Sequence, residues 1–367
     1  MSGSSYSTSY KKQARLVRTR AMGIWVVVMF AVLAYLPWVV GQRAIFGVQF
    51  TPHWLLNTSL TDINITLIFI VGGVALNLLT GFTGLISLGN AAFFALGAMV
   101  ASAVGVKWAH LPFPLVILIA GAAGAAVGAI VGLPSLRIRG IYLLLSTMAL
   151  HFIMVYLYTR YEYTYYGISG VQYLYPSAFG IRLSTDIRWF YFLLILAVIT
   201  LLLMKNLLRT RPGRAFVAVR DHELAAGSAG INVARARVTS FAVSSFVISA
   251  IGAVYVWYLG ASTTDTFDLS IAIAFIAIII IGGLGSLSGT VLGAIVWQLF
   301  PPALIAVSEL LGPISPGFQS TVNQWQGQIT HIVFGVIILV VLVFASTGLA
   351  GLWAKVKQAF VRWPYTS

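Results

Sequence analysis

The side chains able to do chemistry are few and unevenly spread along this sequence. The densest group is the run Arg209-Thr210-Arg211-Pro212-Gly213-Arg214-Ala215-Phe216-Val217-Ala218-Val219-Arg220-Asp221-His222-Glu223-Leu224-Ala225-Ala226-Gly227-Ser228-Ala229-Gly230-Ile231. Fixed charges of both signs among small residues suit ion pairing with a groove on a partner. The competing reading is a basic loop that is solvated and sets topology. A second group is His151 and His331, the ionisable side chains within or close to apolar runs. His151 has two readings: its imidazole meets a solute, or it bonds a carbonyl of a neighbouring helix. The third is backbone rather than side chain: the glycine-rich strings 81–89 and 282–289.

Other chemistries are excluded by what is missing. No Asp, Glu, Lys or Arg lies near the middle of any apolar run. That removes the buried carboxylate of a proton- or sodium-coupled carrier, the arginines of a voltage sensor, and the paired groups of a membrane enzyme. With no cysteine there is no disulfide, iron–sulfur cluster or thiolate zinc site, and no other metal constellation is present. None of the six lysines precedes Ser or Thr, so there is no P-loop. The chain is therefore not expected to be an enzyme or to carry a cofactor. If it moves a solute uphill, the energy enters from another subunit.

The elements that must position these groups follow from composition. The chain is 59% hydrophobic and 8% charged, against about 25% charged in a soluble domain, so it is read as a polytopic membrane protein. A bilayer core needs roughly 20 apolar residues per helix. Candidate spans are Met22–Val40, two within Ile63–Val106, then Leu111–Leu133, Gly140–Thr159, Trp189–Met204, Val238–Tyr258, Leu269–Ile281, Gly289–Val307 and Ile329–Phe344. This is an all-α transmembrane bundle of about ten spans, the first a retained signal-anchor. Residues 1–21 form a basic tail, 22–345 the membrane domain with the loop 205–237, and 346–367 a second tail. With alternating loops, 17 of the 22 Lys and Arg fall on the side of the termini and five opposite, beside six of the eight acids. The positive-inside rule then places both termini in the cytoplasm of a cell-membrane protein, and the net charge of +14 calls for no nucleic-acid partner.

Within the long loop, Pro212-Gly213 predicts a turn, Arg214–Arg220 a short helix, and Asp221 the N-cap of a second helix from His222 that Gly230 ends. Glu223 then lies in a first turn, where the helix dipole favours it. Ser87-Leu88-Gly89 followed by Leu96-Gly97-Ala98, and Ser286-Leu287-Ser288-Gly289 followed by Leu292-Gly293-Ala294, suggest an internal repeat with glycine-interrupted helices. The glycines either line a substrate path or permit close helix packing.

At these residues the sequence resembles the permeases of ATP-binding-cassette importers. Glu223-x-Ala225-Ala226-x-x-x-Gly230 matches their Glu-Ala-Ala…Gly loop. Arg211-Pro212-Gly213-Arg214-Ala215…Arg220, Gly81–Phe94, Leu136–Tyr142 and Ile281–Gly289 are similar to blocks of the branched-chain amino-acid permease family, in family order. The long N-terminal region resembles its larger, LivM-type member. Asn90 stands where the family commonly has histidine, Gly167-Ile168-Ser169-Gly170 matches an outer glycine loop only in part, and Ala345–Leu349 replaces an acidic/proline element.

The resemblance implies a coupling loop of Arg211, Gly213, Arg214, Arg220, Glu223, Ala225, Ala226 and Gly230 that contacts the ATPases. It implies a second homologous permease, two cytoplasmic ATPase subunits holding ATP and Mg, and an extracytoplasmic binding protein. The translocation path is expected beside Gly81, Gly84, Ser87, Gly89, Asn90, His151, Gly282, Gly283, Gly285 and Ser286. Branched-chain or related hydrophobic amino acids are the expected substrates, with urea, amides or aromatic acids as alternatives. A passive channel for small solutes is the alternative from another class.

Overall fold

A computed structural model describes residues 59–353, apart from 107–110, 139, 168–169, 174–175, 179, 312–315 and 345–347, together with 35 and 37. Apart from Tyr35 and Pro37 the first candidate span thus lies outside the described residues, as do the basic N-terminal tail, Arg139, 345–347 and 354–367. Within them the chain is a helical bundle that crosses the membrane several times. Seven helices are long and apolar enough to span, and 90–105 and 327–341 are shorter apolar helices. These nine correspond to nine of the ten runs read from the sequence.

Helix α1 (Leu60–Asn77) starts at a capping box in which Ser59 Oγ accepts from the Asp62 amide and Asp62 Oδ2 accepts from the Ser59 amide. It is apolar and buried on every side, so it is the central post of the bundle. One widened π-type turn, Leu78–Phe82, ends it before the first glycine turn. Helix α2 (Asn90–Val100) follows and widens again over Ala101–Val106; no hydropathy pattern marks either widening. Helices α3 (Phe113–Gly132), α4 (Ile141–Tyr165) and α5 (Asp186–Arg209) come next. Two short helices, α6 (Arg211–Asp221) and α7 (Glu223–Ser228), lead into α8 (Val233–Leu259). Then come α9 (Leu269–Gly282), α10 (Leu287–Leu311) and α11 (Pro316–Phe344), the last bent at Trp325. Several helices overrun the apolar runs by three to six residues, because their polar ends lie beyond the hydrocarbon.

Small residues let the helices approach. Gly121, Gly124, Gly128 and Gly132 make a stripe on α3 facing Phe246, Ser249, Ser245 and Phe241 of α8. A methyl at Gly124 would overlap the Ser245 carbonyl. Polar bonds reinforce these contacts: Ser249 Oγ donates to the Ala120 carbonyl and Ser244 Oγ to that of Ala75, both at 2.7 Å. Gly282 of α9 likewise packs backbone to backbone on Gly289 of α10, and Gly293 on the Ile278 carbonyl.

The face opposite the loop 205–237 carries two small antiparallel pairs, β1 (Val171–Gln172) with β4 (Ala261–Ser262) and β2 (Ser177–Ala178) with β3 (Ile181–Arg182). Here Asn64 Nδ2 donates to the Asp186 carbonyl, and Tyr258 Oη to Asp186 Oδ1. Glu162 is buried in the last turn of α4 and accepts from Thr264 Oγ1 at 2.8 Å. Tyr158 and Tyr173 share Ser262 Oγ at 2.6 and 3.2 Å. Burial, and then the Tyr158 hydroxyl beside it, push the Tyr173 phenol above its usual range.

Candidate functional site

The loop 205–237 folds back under the bundle as a helical hairpin. Thr210 closes α5 with a 2.6 Å bond to the Leu207 carbonyl, and Pro212 fits the first turn of α6, where an amide hydrogen would have no partner. Gly213 is required at the bend, since a methyl there would strike the Leu207 carbonyl and Leu208 Cα. Arg214 Nη1 donates to the Arg209 carbonyl at 2.8 Å and ties the two helices. Phe216 and Val219 point into the bundle and are buried.

Two expectations need correction. The first short helix runs from Arg211 to Asp221, longer at both ends than Arg214–Arg220. Asp221 is not the N-cap of the second helix: it is the last residue of the first. Its Oδ1 accepts from Arg220 Nε and Nη2 at 2.9 and 2.8 Å, a charge-assisted fork that outcompetes amide capping. His222 takes the N-cap place in extended conformation, with no side-chain cap bond. Gly230 does end the turn, at φ +82°, and the Ile231 amide closes on the Ala226 carbonyl.

Glu223 opens α7 and accepts from Arg237 Nη2 at 2.8 Å, while Arg237 Nη1 donates to the Ser135 carbonyl after α3. The Arg237 side chain is 7% exposed and that of Glu223 23%. Arg237 is the residue of this hairpin contact that sequence reasoning passed over. It enters the sequence reading only among the 17 Lys and Arg on the side of the termini, and nothing in its spacing links it to a residue fourteen positions earlier. Ala226 is buried, whereas Ala225 is exposed and Leu224 is 78% exposed. Arg211 is exposed as well. The residues named for coupling therefore divide: Gly213, Arg214, Arg220, Glu223, Ala226 and Gly230 build the hairpin, and Arg211 and Ala225 face outward, as does Leu224, which was not among them.

Above the hairpin lies a groove of about 400 Å³, lined among others by Thr83, Ile86, Leu143, Val219, Arg220 and Glu223. Its roof is the first glycine turn. There the Gly81 carbonyl accepts from Arg220 Nη1 at 2.8 Å, and Gly81 lies against the backbone of Gly285 in the second turn. Asn77, fully buried at the end of α1, accepts from the Gly285 amide and donates to the Ser286 carbonyl and Thr290 Oγ1. Gly282 and Gly283 continue that second turn against Gly289 and Gly348.

The first turn is closed internally as well. The Gly89 amide donates to Ser87 Oγ, Asn90 Nδ2 to the Ser87 carbonyl, and the Leu88 amide to Thr147 Oγ1 of α4. These backbone groups are engaged with partners in this chain. His151 lies one helical turn beyond Thr147, buried, and its Nδ1 has no partner among the described residues. His331 belongs to α11, and its side chain lies outside the described residues. No cluster of metal-ligating side chains occurs among the described residues.

Comparison with known proteins adds an independent line. Residues 59–351 match the protein family described as "Branched-chain amino acid transport system / permease component". The high-affinity branched-chain amino acid transport system permease protein LivM of Escherichia coli (strain K12) is 30% identical over 256 residues, 63% of this chain and 60% of that protein. The protein of the same name from Salmonella typhimurium is 29% identical over 269 residues, 66% of this chain and 63% of that protein. The chain thus spans about 60% of the length of these relatives. No solved structure matches it.

Proposed function

The chain belongs to the family of branched-chain amino acid transport system permease components, and from that premise we propose that it is the membrane subunit of an ATP-binding-cassette importer for branched-chain or related hydrophobic amino acids. In this reading two such permeases, this chain and a homologue, form the path across the membrane. Two ATPase subunits bind ATP and Mg on the cytoplasmic side, and a binding protein delivers solute from outside. Domain limits of 22–345 for the membrane part, with both tails and the loop 205–237 cytoplasmic, belong to the same proposal.

One observation carries it. The α6–α7 hairpin is tied to the bundle by the Arg237–Glu223 pair while presenting Leu224 outward. A fixed lever with an exposed apolar knob is what a partner must grip to move a bundle. The reading agrees with the sequence, in which no Asp, Glu, Lys or Arg lies near the middle of an apolar run. We place the two glycine turns beside the path and assign His151 to it, as the buried mid-helix group with an open bonding position.

The test is co-purification of the tagged chain with its neighbours, followed by a ligand screen of the captured binding protein. A stoichiometric complex with ATPase subunits and a binding protein selective for leucine, isoleucine or valine supports the reading. Solute flux through the purified chain alone, with no ATPase, would replace it with the passive channel. Selectivity for urea, amides or aromatic acids would keep the machine and change the cargo.

A further inference from the structure

We propose that Arg220 is the residue through which a displacement of the α6–α7 hairpin reaches both glycine turns of the bundle at once. The proposal rests on the importer reading above and concerns how a push on the hairpin is transmitted, which neither the motif nor the family assigns to any residue.

Three observations converge on Arg220. First, its guanidinium is divided between two tasks. Nε and Nη2 hold Asp221 Oδ1, which fixes the plane of the fork, and this leaves Nη1 to donate to the Gly81 carbonyl at 2.8 Å. Second, both glycine turns are shaped around this side chain. Gly84 has φ +77°, and a methyl on it would lie 3.0 Å from Arg220 Cγ. Gly285 has φ +75°, and a methyl there would lie 3.0 Å from Arg220 Nη1. Both positions favour glycine for conformation, and a methyl at either would crowd Arg220.

Third, the two turns are bolted to each other. Gly81 and Gly285 meet backbone to backbone, and Asn77 locks the second turn through Gly285, Ser286 and Thr290. The first turn joins α1 to α2 and the second joins α9 to α10. Any movement of Arg220 therefore acts on both helix pairs together. Helix α6 is about 16 Å long; it is pinned to α5 at Gly213 and Arg214 and latched to the turns at its far end, which makes it a lever between two fixed contacts.

Lysine cannot replace this geometry fully. An ammonium group can reach one carbonyl, but it has no planar fork to hold Asp221 Oδ1 and the Gly81 carbonyl in fixed relation.

The experiment compares the unsubstituted chain, Arg220→Ala, Arg220→Lys and Gly84→Ala in the assembled importer in proteoliposomes. The quantity read is branched-chain amino acid imported per ATP hydrolysed. In Arg220→Ala this ratio is expected to fall about ten-fold or more, the factor that accompanies loss of a charge-assisted hydrogen bond. Arg220→Lys should recover it in part, and Gly84→Ala should lower it by pushing Arg220 off its seat. In parallel, amide hydrogen exchange of the chain alone should quicken in residues 81–89 and 283–289 together in Arg220→Ala, while the middle of α8 is unchanged.

A ratio in Arg220→Ala within about two-fold of the unsubstituted value overturns the proposal, even if the complex assembles poorly, because that is the signature of a purely structural contact. Faster exchange in one turn only overturns it too. If the unsubstituted chain supports no ATP-driven uptake, the importer reading itself falls and takes the latch with it; that failure is seen in the reference arm, not in the variants.

Discussion

Arg237, in the second turn of α8, donates to Glu223, the first residue of α7, across 14 positions of chain at 2.8 Å. This one contact joins the hairpin to the helix that packs most extensively in the bundle. Because Arg237 also bonds the Ser135 carbonyl at 2.9 Å, the hairpin, α8 and the segment after α3 share a single guanidinium. Movement of α7 cannot leave the other two elements unaffected.

Glu223→Arg sets two guanidiniums against each other at this point. The variant is expected to insert and accumulate, since Glu223 retains 23% exposure and is not in the apolar core. It should nonetheless uncouple ATP hydrolysis from uptake. Transport assayed beside hydrolysis in membranes of matched expression checks this, and normal uptake by the variant would sink the coupling role of Glu223.

Arg237→Met removes both hydrogen bonds while keeping the apolar stem. Losing one partner of a fully buried pair costs about 3–5 kcal/mol, and the partial exposure of Glu223 reduces the expectation to about 2–3 kcal/mol. Thermal unfolding of the purified chain in detergent measures it. A change below about 0.5 kcal/mol, the level of an ordinary surface substitution, would mean the pair is incidental.

The glycines predict opposite outcomes at two sites. Gly282→Ala drives a methyl into the Gly289 carbonyl and should cost about 1–3 kcal/mol or more by overpacking. Gly227→Ala, in α7 with open space around it, should stabilise the isolated chain by up to about 1 kcal/mol through helix propensity. The same unfolding assay on both variants decides whether backbone contact, and not glycine content, is what the bundle requires.

Tyr173 gives a test at high pH. Its pKa is raised in the folded chain, so folding favours the neutral phenol. The stability it contributes is complete below the unfolded value near 10 and is lost as pH rises from there toward the folded value. Tyr173→Phe should therefore show a shallower loss of stability between about pH 10 and 11.5 than the unsubstituted chain. Parallel curves would show that the hydroxyl is not desolvated as its burial implies.

Much of the architecture was legible in the sequence because the bilayer imposes a length and a polarity that composition must obey. The apolar runs, the charge placement and Pro212, Gly213 and Gly230 in the hairpin are local or statistical properties. Asp221 was misread for an equally local reason. Capping preference describes what an aspartate does when nothing better is offered, and the adjacent Arg220 offers a bidentate charged partner. The widened turns at Leu78–Phe82 and Ala101–Val106 left no trace, since they change hydrogen-bond register without changing hydrophobicity.

By itself the sequence determined that this is a many-span helical membrane protein, that one loop concentrates its charge, and that no Asp, Glu, Lys or Arg lies near the middle of an apolar run. The tertiary structure alone decided who meets whom: Glu223 with Arg237, Arg220 with Gly81, and Gly81 with Gly285 across more than 200 residues. The reason is physical. Hydrophobic transfer into a bilayer is a sum over residues and can be read one residue at a time. Close packing and directed hydrogen bonds depend on pairs, and the pairs exist only once the helices have been brought together.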